Sequence, residues 1–309
     1  MSDYLWDKSG TPDPEVERLE TLLEQFRYRP GSVRGPRPRF PWRVLAAAAA
    51  LIVAVTVWQV FRMRSQAWTV SLVESGGGAR SVRLGAGQTL VTAMGETAHM
   101  SMPRVGRLDV DPETTLRVVR SRSNEQRFEL LRGTIHAHIG APPRVFVVNT
   151  PSATATDLGC TYTLHVDPSG DGMLRVTSGL IEFDWNARRA LVPTGAVAMT
   201  RAGAGPGTPF FEDAAPEFRR ALATWDITGD DTLLRTVLAS ARPRDAVTLL
   251  NLVQTVRAAE RGLVLARLAQ LAPPPAGVDT NAILAGHFES LQPWWNQLGL
   301  RHHPAVRLF

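Results

Sequence analysis

The sequence predicts a membrane-anchored chain in which an all-β domain of many short strands, stacked, solenoid-like or sandwich-like, is followed by an all-α C-terminal segment. Three observations carry this. Residues 44–61 form one apolar run without a charge, residues from Trp68 to about Thr200 alternate apolar and polar, and from residue 214 the apolar residues recur at helical spacing. The chain therefore divides into a tail (1–43), a span (44–61), a β domain (68–200), a Gly/Pro linker (201–213) and a helical segment (214–309).

In the tail, Asp13 before Pro14 reads as an N-cap followed by proline at the first helical position. Val16, Leu19, Leu22, Leu23 and Phe26 recur on one face, with Glu15, Glu17, Glu20 and Glu24 on the other. Arg27 and Arg29 suit the negative end of such a helix. At about 14 residues it is marginal alone in water. It requires another protein, a second copy of itself or a membrane surface, unless it is a frayed peptide preceding the anchor. Residues 30–41 are rich in Pro, Gly and Arg and read as a linker.

Between Val44 and Phe61 the only polar side chains are Thr56 and Gln59, and eighteen residues at the helical rise cover about 27 Å, close to the hydrocarbon thickness of a bilayer. Trp42 and Trp58 sit near the two ends, where amphipathic rings favour the interface. A buried core helix is excluded by the absence of any polar face. A cleaved signal peptide is excluded by the forty-three preceding residues and by Gln59, Val60 and Phe61, which offer no small-residue cleavage site. Six arginines (Arg27, Arg29, Arg34, Arg37, Arg39 and Arg43) precede the span, against Arg62 and Arg64 after it. That asymmetry predicts a cytoplasmic N-terminus, an inner-membrane span and a periplasmic C-terminus.

The formal charge of +5 does not point to nucleic acid. Before Ala67 there are ten basic and seven acidic residues, whereas after it there are twenty-four and twenty-two. The excess belongs to the membrane flank, where it serves topology. A lone cysteine, Cys160, leaves the exported part to be held by its core.

The β region reads as strands of about five residues, among them WTVSLV, RFELLRG, TIHAHIG, RVFVVNT, TYTLHVD and LIEFDW, with turn signals every eight to twelve residues. No crossover helix separates them, which argues against a parallel α/β sheet. Asp167 to Gly172 reads as a hairpin loop.

The run from Pro142 to Phe183 carries a recognisable pattern. Val148, Thr150 and Pro151 form V-x-T-P; Leu158, Gly159, Tyr162 and Leu164 follow as L-G-x-x-Y-x-L, and Val176, Gly179, Ile181 and Phe183 as V-x-x-G-x-I-x-F. Leu131 to Ile139 precedes them as L-x-G-T-I-H-A-H-I. This pattern resembles the FecR family, the transmembrane anti-sigma regulators of cell-surface signalling, over roughly residues 68–200. Cys160 stands where that family usually has threonine. The resemblance implies the β fold and the topology, and as partners a possible extracytoplasmic-function sigma factor at the tail and an envelope protein or ligand at the exported domain. The family's cytoplasmic part is a longer helical domain than this tail provides.

After the loop from Gly203 to Pro209, too rich in glycine and proline for a strand or helix, Pro216 opens a helix. Asp230 or Asp231 caps the next, Pro243 opens a third, Leu263 to Leu271 form a fourth and residues 281–298 a last. Together they suggest a small bundle or a helical-repeat-like stack. Trp294 and Trp295 read as its core contact.

No catalytic group emerges. His136 and His138 share a strand face, but no third ligand has a matching spacing, so no metal site is assigned. Gly76 to Gly78 lacks the Lys-Ser/Thr of a phosphate loop. Cys160 lies in an apolar run and reads as a small buried residue. Asp109 and Asp111 are expected to face solvent. The expectation is a non-enzymatic regulator without a cofactor or direct nucleic-acid contact, in which the exported domain is coupled through the span to a tail that controls a sigma factor. The alternative is an envelope scaffold whose tail only sets topology.

Overall fold

A computed structural model describes residues 14–28, 51, 53, 67–186 and 188–300. The predicted span 44–61, the linker 30–41, the cap Asp13 and the tail dipeptide His302-His303 lie outside the described residues, Leu51 and Val53 of the span excepted. Among the described residues no helix is long and apolar enough to cross a membrane. The chain forms two compact units, Met1–Val57 and Trp58–Phe309.

In the first unit, α1 spans Pro14–Glu24 and buries none of its residues. It is shorter than the reading to Arg29. The chain leaves the helix after Glu24 in a turn where the Phe26 N–H donates to Leu23 O at 2.9 Å. Arg27 therefore follows the helix and lies outside its last turn.

The second unit is built on two joined β-sheets. The first runs β2 (Ala79–Leu84), β1 (Trp68–Glu74), β4 (Glu96–Met102), β5 (Gly106–Val110), β7 (Glu125–Ile139), β10 (Thr161–Val166), β11 (Gly172–Ser178) and β14 (Ala196–Arg201). The second runs β3 (Thr89–Val91), β6 (Thr115–Arg122), β7, β8 (Phe146–Asn149), β9 (Thr154–Asp157), β12 (Leu180–Trp185) and β13 (Arg188–Pro193). Their inward side chains join one apolar cluster that includes Met100, Leu108, Leu164 and Leu174 from the first sheet and Leu116, Phe128, Val148 and Phe183 from the second. Of the alternatives left open, this is the sandwich-like one.

The join is β7 itself. The sequence splits it into RFELLRG and TIHAHIG; the structure makes one strand of fifteen residues. Its first half buries Gln126, Phe128 and Leu130, and its second half buries Ile135, Ala137 and Ile139. The inward parity therefore switches between Leu130 and Ile135, where the strand passes from one sheet to the other. Gly133 sits in that step with φ +95°, and a Cβ there would lie 2.2 Å from Thr114 Oγ1 and 2.5 Å from Thr114 Cα. Only glycine fits such a backbone approach. The same geometry produces a parallel pair, β7 with β8, in an otherwise antiparallel assembly. The second half of β7 lies within the first sheet and the loop 140–145 returns the chain to β8, so no crossover helix is needed.

The reading of Gly203 to Pro209 as too rich in glycine and proline for a strand is corrected. Two short strands, β15 (Gly205–Pro206) and β16 (Phe210–Phe211), pair with β14. Beyond them lie α2 (Pro216–Thr228), α3 (Asp231–Ser240), a 3₁₀ turn at Pro243–Asp245, α4 (Ala246–Thr255) and α5 (Ala258–Leu271). Asp230 caps α3 as expected, accepting from Thr232 N–H at 2.7 Å. Pro243 opens only the 3₁₀ turn, and the third helix starts at Ala246. The single last helix expected over 281–298 is three pieces: α6 (Thr280–Ala285), a 3₁₀ turn Phe288–Leu291 and α7 (Gln292–Gln297). Gly286, left-handed at φ +97°, ends α6, and Pro293 suits the first turn of α7, where no N–H is required. Trp294 and Trp295 are buried, and Trp294 Nε1 donates to Ala272 O at 3.0 Å.

The helices share the apolar cluster of the sheets. In α4 every residue from Ala246 to Val253 is buried. Asn251 of α4 accepts from Leu191 N–H at 2.8 Å and donates to Leu191 O at 3.2 Å, so a helix side chain satisfies the outer edge of β13. At the opposite end of the assembly, the edge strand β2 carries Arg80, which reaches the buried Glu96 at 2.8 Å. A charge tethered in this way blunts an open edge against foreign strands.

Candidate functional site

The pattern residues from Val148 to Phe183 form one connected structure. Val148 is buried in β8, and Thr150 closes the turn into β9, donating from Oγ1 to Ala153 O at 2.9 Å and accepting from Ala153 N–H at 2.9 Å. Its neighbour Ser152 donates to Thr200 Oγ1 at 2.8 Å, fastening this turn to β14. Pro151 is exposed at the turn; a Cβ at Gly170 of the next hairpin would lie 3.3 Å from the Pro151 Cβ. The loop Asp167–Asp171 is organised as expected, with Asp167 Oδ1 accepting from Ser169 N–H at 2.8 Å and Asp171 N–H at 3.1 Å.

The second and third parts of the pattern meet backbone to backbone. Gly159 has φ +100° and Gly179 φ +89°, and a Cβ on Gly179 would lie 2.2 Å from Gly159 O. Cys160 then grips the partner strand: its thiol donates to Leu180 O at 2.7 Å and its sulfur accepts from Leu180 N–H at 3.1 Å. Leu158 is half-buried, while Tyr162, Leu164, Val176, Ile181 and Phe183 are buried. Glycine at 179 is thus a packing requirement, whereas at 159 it is the left-handed backbone that favours glycine.

Beside this contact lies a buried polar group of three side chains. Asp157 Oδ1 accepts from Gly159 N–H at 2.7 Å, whereas Asp157 Oδ2 and the Tyr162 hydroxyl, both buried, have no hydrogen-bond partner among the described residues. Burial pushes Asp157 up to about 7, against the pull of the Gly159 N–H. Burial, reinforced by the neighbouring Asp157, pushes the Cys160 thiol up to about 12, and Tyr162 is raised for the same reasons. Burial of this kind disfavours the thiolate, the form in which cysteine reacts. Cys160 is the small buried residue that its apolar context predicts.

The histidines make local pairs. His136 lies between Thr163 Oγ1 at 3.0 Å and Asp111 Oδ2 at 3.0 Å, and His99 Nδ1 lies 2.8 Å from Asp109 Oδ1. Asp109 and Asp111, expected to face solvent, are partly exposed on the side opposite the buried Leu108 and Val110, and they partner these rings because strand pairing puts β4 and β7 on either side of β5. His138 is exposed. Among the described residues no three His, Cys, Asp or Glu side chains are grouped to hold a metal ion.

The tail residues singled out for partner binding are presented as an unburied face. Leu19, Leu22 and Leu23 share one side of α1 and are exposed, Val16 is half-buried one turn earlier, and Phe26 is exposed in the turn after the helix.

Sequence reasoning missed a cleft of about 470 Å³ between the outer face of β10, β11 and β14 and helix α2. Met173, Met199, Phe210 and Ile227 supply its apolar lining, with Arg201, Asp167, Asp171 and Asp226 as its charged members. Asp226 is anchored by Thr208 N–H at 2.7 Å, Thr208 Oγ1 at 2.8 Å and Arg188 at 3.3 Å, and burial raises its pKa. No local pattern could have announced the cleft, because its walls come from strands and a helix whose pairing the sequence leaves open.

No curated protein was found to match the chain. Two crystal structures of a "putative anti-sigma factor" from Parabacteroides distasonis ATCC 8503 are similar to it at 17% identity and a TM-score of 0.36, over 43% and 45% of this chain. The chain spans 63% of the length of each. A family model described as FecR protein matches residues 88–182, which lie inside the expected 68–200 and contain the pattern except for Phe183. The segment from the loop before β3 to β12 is therefore a FecR match, as Val148, Thr150, Pro151, Gly159, Tyr162, Val176 and Gly179 indicated.

Proposed function

We propose that this chain is a single-pass inner-membrane regulator, with residues 1–43 in the cytoplasm, residues 44–61 as the span and the FecR-matching domain in the periplasm. In this reading it is no enzyme and takes no cofactor. The exported domain engages an envelope protein or ligand, and α1 holds or releases an extracytoplasmic-function sigma factor. The FecR match over residues 88–182 supports a regulatory role. The observation that carries the sigma-factor step is the face of α1, where Leu19 is 57% and Leu23 is 61% exposed on a helix that buries nothing. A helix of this length is marginal without a partner, and apolar side chains at i, i+3 and i+4 are the form in which a helix enters a groove.

The test is co-purification of the tagged full chain from membranes, beside the Leu19→Asp/Leu23→Asp variant. Retention of a sigma factor by the wild type and its loss in the variant supports the reading. If neither retains one, the tail serves topology alone and the scaffold reading replaces it.

A further inference from the structure

The geometry points to a cuprous-ion site formed by His165, Met173 and Met199 on the outer face of the first sheet. The three residues stand directly opposite one another on adjacent antiparallel strands: His165 faces Met173, and Met173 faces Met199. Their neighbours along the strands, Leu164, Leu174 and Ala198, are buried, so strand alternation turns all three outward into the same cleft. Strand spacing sets His165 and Met199 about 5 Å to either side of Met173. An ion above the Met173 sulfur is within reach of an imidazole nitrogen on one side and a second thioether on the other.

The chemistry of the set selects the ion. Two thioethers and an imidazole are soft, uncharged donors, which suit Cu(I), whereas Ca²⁺ and Mg²⁺ require oxygen and structural Zn²⁺ draws on thiolate or several imidazoles. His165 is already oriented for ligation. Its Nδ1 lies 2.9 Å from Thr134 Oγ1, and its Nε2 has no partner among the described residues. A ligating histidine commonly has its second ring nitrogen held in this manner.

Two further observations separate this row from ordinary packing. Met199 is 47% exposed, whereas Met100 and Met102 on β4 are buried in the core. Phe210 and Ile227 flank the row with apolar surface, and Asp167, Asp171 and Asp226 line the same cleft as acids, opposed by Arg201. Asp167 and Asp171 are committed to turn backbone and Asp226 to Thr208 and Arg188, so they attract a cation without displacing the soft donors. The ion enters as Cu(I) and no electron is transferred. The site is independent of the sigma-factor reading, since copper binding is measured with the purified chain alone.

The experiment is anaerobic titration of the full chain with Cu(I) against a chromophoric Cu(I) chelator, using wild type, Met173→Leu/Met199→Leu and Met94→Leu. Leucine nearly conserves the volume of methionine, so the fold is retained, and thermal unfolding of the metal-free variants checks this. Met94, 84% exposed and outside the cleft, controls for adventitious thioether binding. One equivalent of Cu(I) held by wild type and by Met94→Leu, with at least a hundredfold loss in the double variant, supports the site. Equal affinity in all three proteins, or no Cu(I) retained by wild type, overturns it. With Ag(I) as a redox-inert probe and methyl-labelled methionine, NMR should show selective shifts of Met173 and Met199; uniform shifts of all methionines overturn the assignment.

Discussion

The side-chain amide of Asn251 lies against the backbone of Leu191, accepting from its N–H at 2.8 Å and donating to its carbonyl at 3.2 Å. A helix thereby supplies the hydrogen bonds of a missing neighbouring strand. It also fixes how the C-terminal helices dock, because Asn251 is buried and its remaining N–H donates to Val247 O at 3.0 Å.

Asn251→Ala should leave the Leu191 N–H and carbonyl buried without partners. The expected loss is about 2–4 kcal/mol of unfolding free energy. Denaturant titration of the full chain measures it. A loss below about 0.5 kcal/mol would show that the edge of β13 is satisfied some other way.

Gly133 and Gly159 both have positive φ, but only Gly133 faces an obstruction. A Cβ at Gly133 would meet Thr114 at 2.2 Å, while one at Gly159 meets nothing within 4 Å. Gly159→Ala should cost about 1–2 kcal/mol from backbone conformation alone. Gly133→Ala should cost more, about 3 kcal/mol or above, because the sheet-to-sheet step must shift. Equal costs measured by urea unfolding would refute the steric account of β7.

Asp157 has a folded pKa of about 7 against an ordinary value of 3.8, because burial disfavours its charge. The folded state therefore holds the proton more tightly than the unfolded state. Its contribution is complete below pH 4, declines as pH rises to about 7 and is gone above that. Asp157→Asn keeps an acceptor for Gly159 N–H and removes the titration. Relative to wild type, the variant should gain roughly 2–4 kcal/mol of stability between pH 4 and pH 8. A stability difference independent of pH would exclude Asp157 as a titrating group in this range.

Helix α1 buries no residue, so its amides should exchange with solvent far faster than those of β7 in the free protein. Leu19→Asp/Leu23→Asp should leave the thermal midpoint of the second unit unchanged. Protection of residues 14–24 equal to that of β7 in the isolated chain would show that the apolar face already has a partner within the protein.

Much of this architecture is legible locally. The segments TYTLHVD and LIEFDW placed β10 and β12, and Pro216 and Asp230 marked the starts of α2 and α3. V-x-T-P and the two glycines were readable as a pattern. What they do was not: Thr150 caps a turn through its own side chain, and Gly159 and Gly179 are spaced by twenty residues yet touch. The last helix was misread because its apolar residues continue at helical spacing while Gly286 and Pro293 interrupt the backbone.

The sequence by itself determined the order of β and α segments, the turns, the buried face of most strands and the apolar face of α1, because each depends on residues within a few positions of one another. Tertiary structure alone decided the passage of β7 between sheets, the parallel pairing with β8, the pairing of β15 and β16 with β14 and the docking of α4 on β13. It also decided that His165, Met173 and Met199 stand in one row. Strand register and helix docking are set by contacts between residues far apart in the chain, and no local period encodes which of them meet.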